Sequence, residues 1–231
     1  MFDFLVTADG GLTTAGYTAS IVAVLVLVVL IAALLQKKTS TLKLTTQQLV
    51  TCAAALALAY VTSYIKLFKL PFGGSVTLFS MLFIVLLGYW YGVKVGILTG
   101  LVYGIFQFLQ EPYVLSFFQV CCDYIFAFGA MGLSGLFTKS KKYGLLKAYI
   151  AAILARGAFH ALGGYLYWMD YMPDNFPKSL IALYPIIYNY SYILLEGILT
   201  IVVISVPAVS SALGRMRAMA TGGNRQPAAQ K

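Results

Sequence analysis

Residues 75–110 read SVTLFSMLFIVLLGYWYGVKVGILTGLVYGIFQFLQ, and Lys94 is the only charged residue among them. Crossing a bilayer as a helix takes roughly 20 apolar residues. The stretch is long enough for two crossings, about Ser75–Tyr91 and Gly92–Gln110. In lipid every backbone N–H and C=O must be paired within the chain, which leaves helices and closed barrels as spanning forms. A barrel shows short alternating segments, and this sequence does not.

Working outward, the same pattern recurs at about Tyr17–Leu35, Gln47–Phe68, Phe117–Thr138, Leu145–Met169 and Tyr184–Leu213. The chain is therefore expected to be an all-α, multi-pass protein of the cell membrane, with no soluble enzyme domain. Composition agrees: 61% of the residues are hydrophobic and 10% charged, against roughly 45–50% and about 25% in soluble domains. The first block lacks a basic stretch before it and does not read as a cleaved signal peptide. The net charge of +9 does not point to nucleic acid, because the basic residues flank apolar blocks and form no continuous face. Cys52, Cys121 and Cys122 lie inside apolar segments without metal-ligand spacing and read as small buried hydrophobes.

Lys and Arg gather on the cytoplasmic side of membrane proteins. With the N-terminus outside, the basic residues around 37–43, at Lys94, at 139–147 and from Arg215 onward are cytoplasmic, and only Lys66, Lys69 and Lys178 are external. The expected topology is N-out, C-in. The segment after Leu213 reads as a basic tail, expected to be disordered or surface-bound.

Ionisable residues inside a span are costly and mark function. Here they are Asp123, Arg156, His160 and Glu196. At 1.5 Å per residue, Asp123 lies roughly 9 Å and His160 roughly 13 Å below the outer ends of their spans, close enough in depth to line one outward-opening cavity. Arg156, His160, Gly164 and Trp168 recur every four residues and share one helix face. Gly164 has two readings: a flat ligand lying against the backbone, or close packing of helices at Gly163-Gly164. Asn189 sits about a turn inside the last span, where an amide needs partners. A carboxylate, an imidazole, an indole, phenols and an amide suit a small, flat, cationic solute, because aromatic faces attract cations. Asp123 pairing with Arg156 inside the bundle is the structural alternative. Glu196 reads as a capping or pairing residue without a ligand role.

At these residues the sequence resembles a known family. KLFKLPFGGSVTLFSML (66–82), YGVKVGILTG (91–100), QVCCDYIFAF (119–128) and the Arg156 to Trp168 run resemble the ThiT family, the thiamine-specific substrate-binding (S) subunits of energy-coupling factor (ECF) transporters. The resemblance covers roughly 45–213. It implies a six-helix S-component bundle, preceded here by one extra N-terminal transmembrane helix in residues 1–44 and followed by a tail at 214–231. It implies thiamine as the transported ligand, captured from outside, and no cofactor.

By this resemblance the acidic residue and following Tyr of the family map to Asp123 and Tyr124, with Asp here where some members have Glu. The external-loop Tyr maps to Tyr113. The ring-stacking pair maps to His160 and Trp168, the close-approach glycine to Gly164, the basic residue to Arg156, and the last-helix Tyr and Asn to Tyr184 and Asn189. The first external loop, with Lys66, Phe68, Phe72, Gly73, Gly74 and Ser75, maps to a lid, although it lacks the Trp that some members place there. S subunits of this kind dock onto a transmembrane coupling subunit with two ATPase subunits. The family's docking motif, small residues four apart in its first helix, is matched by Ala53 with Ala57 and Ala55 with Ala59. That spacing also serves contact within the bundle itself.

Three other readings stand beside this one. An autonomous ion-coupled secondary transporter of thiamine or a related pyrimidine or vitamin would use Asp123, Arg156 and Glu196. A substrate-binding subunit for a different small vitamin would use the same pocket chemistry. An intramembrane serine protease would need Ser134, in GLSG (132–135), beside His160. The helical rise separates those two by about 12 Å in depth, beyond hydrogen-bond reach.

Overall fold

A computed structural model of the protein describes residues 4–5, 13–19, 22, 44–140 and 142–222. The expected span at Tyr17–Leu35 lies, apart from residues 17–19 and 22, outside the described residues.

Helix α1, Thr46–Ser63, starts on a capping box: the Thr45 side chain accepts the Gln48 N–H while the Gln48 side chain accepts the Thr45 N–H. This local signal fixes its start. Its end differs from the expected span of Gln47–Phe68. Lys66–Lys69 forms strand β1, which pairs antiparallel with β2, Ser75–Thr77. The loop expected to be the first external one is thus a β-hairpin, turned through Pro71–Gly73 with Phe72 and Gly73 at positive φ. Its basic residues have a partner off the helix, because both Lys66 and Lys69 pair with Glu111.

Helix α2, Ser80–Tyr91, begins later than the expected Ser75 for the same reason. It joins α3, Val93–Gln110, through Gly92 at φ 93°, a conformation that suits glycine. Helix α4, Phe117–Phe137, is not regular throughout. Cys121–Phe126 is a π-helical turn and Met131–Phe137 a 3-10 segment. Helix α5 runs over Gly144–Tyr167 and α6 over Tyr184–Ser205. The expected last span, Tyr184–Leu213, is broken. Pro207 has no N–H and disfavours helical geometry in the residue before it; Val206 is extended (ψ 125°), and a new helix α7 covers Pro207–Ala220. Residues 214–220, read from the sequence as the start of a disordered tail, belong to that helix. Arg217 stacks on Tyr89 and donates to its hydroxyl, and Gln47 donates to Met219 O.

Among the described residues, Val93–Gln110, Phe117–Phe137, Gly144–Tyr167 and Lys178–Ser205 are long and apolar enough to cross a membrane, and Ser80–Tyr91 is a shorter apolar helix. The architecture is an all-α membrane bundle with one short hairpin. Its centre is the contact of α3 with α4. A Cβ on Gly100 would lie 2.2 Å from Phe128 O, and one on Gly104 2.0 Å from Tyr124 O. Small residues four apart let helices meet backbone to backbone in lipid. Met81, Ile84, Leu87, Tyr103, Met131, Tyr149 and Ile193 fill the core around this seam.

Candidate functional site

The hairpin roofs a cavity of about 650 Å³ at one end of the bundle. Each helix around it contributes polar or aromatic groups for a local reason. Helix α4 contributes Asp123 from its π-helical turn, a distortion found mostly at functional sites. Helix α5 contributes Arg156, His160, Gly164 and Trp168, one face at four-residue spacing. Helix α6 contributes Tyr184, Tyr188, Asn189 and Tyr192, and the α3–α4 connection contributes Tyr113, with Tyr124 behind it.

The carboxylate of Asp123 is the hub. Its side chain is 14% exposed and that of His160 10%. Oδ1 stands 3.2 Å from His160 Nδ1, and Oδ2 accepts Gln119 Nε2 at 2.8 Å and Trp168 Nε1 at 3.2 Å. Arg156 donates through Nε to His160 Nε2 at 3.3 Å. Arginine can only donate, so Nε2 is the accepting nitrogen and Nδ1 carries the proton that Asp123 receives. Arg156 also lies over the Phe128 ring, 4.5 Å from its centroid. Asp123 and Arg156 are therefore linked through His160 rather than paired directly.

The rings form the mouth. Tyr113 and Trp168 have centroids 4.8 Å apart, and Tyr171 lies 5.3 Å from Trp168 and 5.4 Å from Phe72 in the hairpin turn. Tyr124 supports the mouth from behind: its hydroxyl donates to Glu111 O at 2.8 Å and accepts the Tyr113 N–H at 3.1 Å.

Two of the residues are tied into the bundle itself. The Asn189 amide donates to Pro185 O at 2.9 Å and His160 O at 3.2 Å, and accepts the Tyr192 hydroxyl at 3.0 Å. Gly164 lines the cavity edge, but a Cβ there would meet Pro185 Cβ at 2.7 Å and Asn189 Nδ2 at 3.2 Å. Of its two readings, close packing of α5 on α6 is the one this geometry displays. Gly163 makes room for the hub, since its Cβ would lie 3.0 Å from Asp123 Oδ1.

The hairpin is held on both sides. Phe72, Gly73, Gly74 and Ser75 line the cavity, whereas Lys66 and Phe68 do not, and Phe68 is exposed. On one side Lys66 and Lys69 bracket Glu111, Lys69 Nζ at 3.0 Å. Burial pushes the Glu111 carboxyl up, but the two ammonium groups outweigh it and hold the group below its ordinary value of 4.5. On the other side the Tyr188 hydroxyl donates to Pro71 O and accepts the Gly74 N–H at 3.3 Å. At its root, Glu196 of α6 accepts Thr77 N and Thr77 Oγ1 at 2.8 Å each and Met81 N at 3.3 Å. Glu196 is thus a capping residue for the start of α2.

The two alanine pairs of α1 part company. Ala55 and Ala59 are 9% and 0% exposed, packed inside the bundle, so this pair cannot dock a partner. Ala53 and Ala57 face outward. Ser134 is fully buried and its hydroxyl sits where a Cβ of Gly88 would be, 2.1 Å away. It does not line the cavity that holds His160, so the protease reading has no dyad.

Several lining residues escaped the sequence reading, among them Gln107, Gln119, Tyr171, Tyr188 and Tyr192. Gln119 left a signal: it precedes Asp123 by four residues, the spacing at which helical side chains meet.

Comparison with known proteins gives one consistent result. The family model described as Thiamine transporter protein (Thia_YuaJ) matches residues 49–213. The thiamine transporter ThiT of Bacillus subtilis (strain 168) is 31% identical in an alignment covering 59% of this chain and 76% of that protein. A solved structure of ThiT from Listeria monocytogenes superposes with a TM-score of 0.59 at 23% identity, over 72% of this chain and 96% of that chain. At that identity the likeness speaks for the fold.

Proposed function

The chain belongs to the thiamine transporter protein family (Thia_YuaJ), and from that premise we propose that it captures thiamine in the hairpin-covered cavity and hands it to a separate ATP-driven module. The observation that carries the reading is the carboxylate of Asp123 set among rings in one hollow of about 650 Å³. That volume falls within the range of small-molecule sites, about 300–1,000 Å³. Thiamine carries two flat heteroaromatic rings joined by a methylene, with a permanent positive charge, an amino group and a hydroxyl. Asp123 supplies the counter-charge. Trp168, Tyr113 and His160 supply faces for the rings, where cations are attracted. Arg156 keeps His160 in the tautomer that serves Asp123. Tyr124, Tyr184, Gly164 and Asn189 shape and support the walls. Phe72 occupies the lid position, and the hairpin from Lys66 to Ser75 opens for entry and shuts out water when closed.

The bundle is oriented with the hairpin outside. Lys94, Lys139, Lys142, Lys147, Arg215 and Arg217 lie at the α2–α3 and α4–α5 turns and on α7, at the opposite end, which suits the cytoplasmic side. This is the N-out, C-in arrangement of a six-helix S component with one further helix ahead of it. Coupling to an ECF transmembrane subunit and two ATPase subunits runs through the outward Ala53/Ala57 face of α1, where small residues permit close approach.

The chain holds two tryptophans, Trp168 in the cavity and Trp90 buried away from it. Titration of the purified protein with thiamine, its phosphates and its two half-molecules should quench Trp168 emission at submicromolar thiamine, and Trp168→Phe should abolish the signal. No response to any of them from a folded sample overturns the proposal. Vesicles containing this chain alone should not accumulate thiamine; uptake driven by an ion gradient would replace the ATP-driven reading with a secondary carrier.

A further inference from the structure

Gln119 carries none of the ligand contacts proposed above, yet it makes the shortest hydrogen bond to the hub. The residue is 1% exposed. Nε2 donates to Asp123 Oδ2 at 2.8 Å, and Oε1 accepts the Leu115 N–H at 2.9 Å. Its own backbone N–H is held by Ser116 Oγ, the cap of α4, at 3.1 Å. The other donors to Asp123, His160 Nδ1 and Trp168 Nε1, are both at 3.2 Å and belong to rings that a ligand must displace or stack upon. His160 is also held at its far nitrogen, by Arg156, but Gln119 is anchored at the start of α4 itself, through Leu115 and Ser116.

We propose that Gln119 is the positioning residue of the thiamine site, fixing the Asp123 carboxylate so that its remaining lone pairs face the incoming cation. The inference rests on the thiamine reading. The physical reason is the economy of a partly buried charge. A carboxylate with nearby water excluded must be hydrogen-bonded, and a preset orientation spares the ordering cost at binding. Asp is one methylene shorter than Glu, so its reach is limited. A donor one turn earlier on the same helix sets that short side chain from beside it, at the cavity wall. Asp123 lies within the π-helical turn that begins at Cys121, while Gln119 stays with the regular first turn.

The competing account is that Gln119 merely packs the start of α4 through Leu115. A double-mutant cycle separates them, because residues acting through one another are not additive. Gln119→Met in the otherwise native chain should weaken thiamine binding about 10-fold, the scale of a hydrogen bond to a charged group. In the Asp123→Ala background the same change should cost less than about 2-fold. Equal losses in both backgrounds overturn the proposal.

A second measurement needs no ligand. In the ligand-free protein the indole N–H of Trp168, bonded to Asp123, should exchange with solvent faster in Gln119→Met than in the native chain. The Trp90 indole serves as internal control. Unchanged Trp168 exchange also overturns the proposal, and this readout holds if Asp123→Ala binds too weakly to titrate. A native chain that ignores thiamine defeats the functional reading instead, whereas binding with additive losses defeats only the role of Gln119.

Discussion

At the end of the bundle that carries α7, α3 lies against α4 at backbone distance: a Cβ on Gly96 would come 2.8 Å from the Gly132 Cα, and one on Gly132 2.2 Å from Ile97 N. Toward the hairpin end the seam stays tight as far as Gly104 and Tyr124, and beside it Gln107, Asp123 and Gln119 face a hollow. One end is interlocked glycine and apolar side chains; the other is hydrogen bonds and rings around space. Helix α4 changes character between them, from a π-helical turn at Asp123 to a 3-10 segment at Met131–Phe137. The contrast teaches where adaptability can reside. A seam with no free volume fixes the helices, and the π-helical turn sits where the Asp123 side chain must be aimed.

The largest effect should come from wedging the seam apart. Gly100→Val puts a side chain onto Phe128 O and should destabilise the fold by about 3 kcal/mol or more, the upper range for overpacking. Thermal unfolding in detergent measures it, and a melt like that of the native chain would break the contrast at its rigid end. Asp123→Asn should do the reverse: affinity for thiamine falls by roughly 2–3 kcal/mol, the value of a charged hydrogen-bonded group, while the ligand-free melt barely moves. A large drop in that melt would make the hub structural. Trp168→Ala should cost at least about 1–2 kcal/mol of binding from lost stacking and cation–π attraction; an unchanged titration removes Trp168 from the ligand contacts.

The smallest effect belongs to the ionic latch of the hairpin. Glu111 is 44% exposed, so its pairs with Lys66 and Lys69 are worth less than about 1 kcal/mol. Glu111→Gln should speed thiamine release about 2- to 5-fold, as read by stopped-flow fluorescence. The group's folded-state pKa lies below its ordinary 4.5. Its contribution is therefore complete above that value and fades as the pH falls through the lower folded value. The native release rate should approach that of Glu111→Gln in that acid range. A pH-independent difference would assign the hairpin's hold to Tyr188 and Glu196 instead.

How much of this was legible in the sequence depends on how local the cause is. The Arg156, His160, Gly164 and Trp168 face could be read directly, since four-residue spacing on a helix needs no tertiary knowledge. The intramembrane carboxylate Asp123 announced itself by its cost. The hairpin did not, because Lys66 and Lys69 leave the helix for a partner 45 and 42 residues away, Glu111. The outward and inward alanine pairs of α1 share one spacing and differ only in which neighbour lies behind them. Helix α7 was hidden because the apolar run continues through Pro207 to Leu213 and reads as one span; Pro207 is a corner, after which Arg217 and Met219 find partners on α2 and α1.

That last contact has a practical meaning. Gln47 Nε2 and Met219 O meet at 2.6 Å across 172 residues of sequence, so the polypeptide enters and leaves the bundle at neighbouring points, on the side away from the hairpin. Cargo joined at residue 222 departs from this corner and leaves the mouth unobstructed.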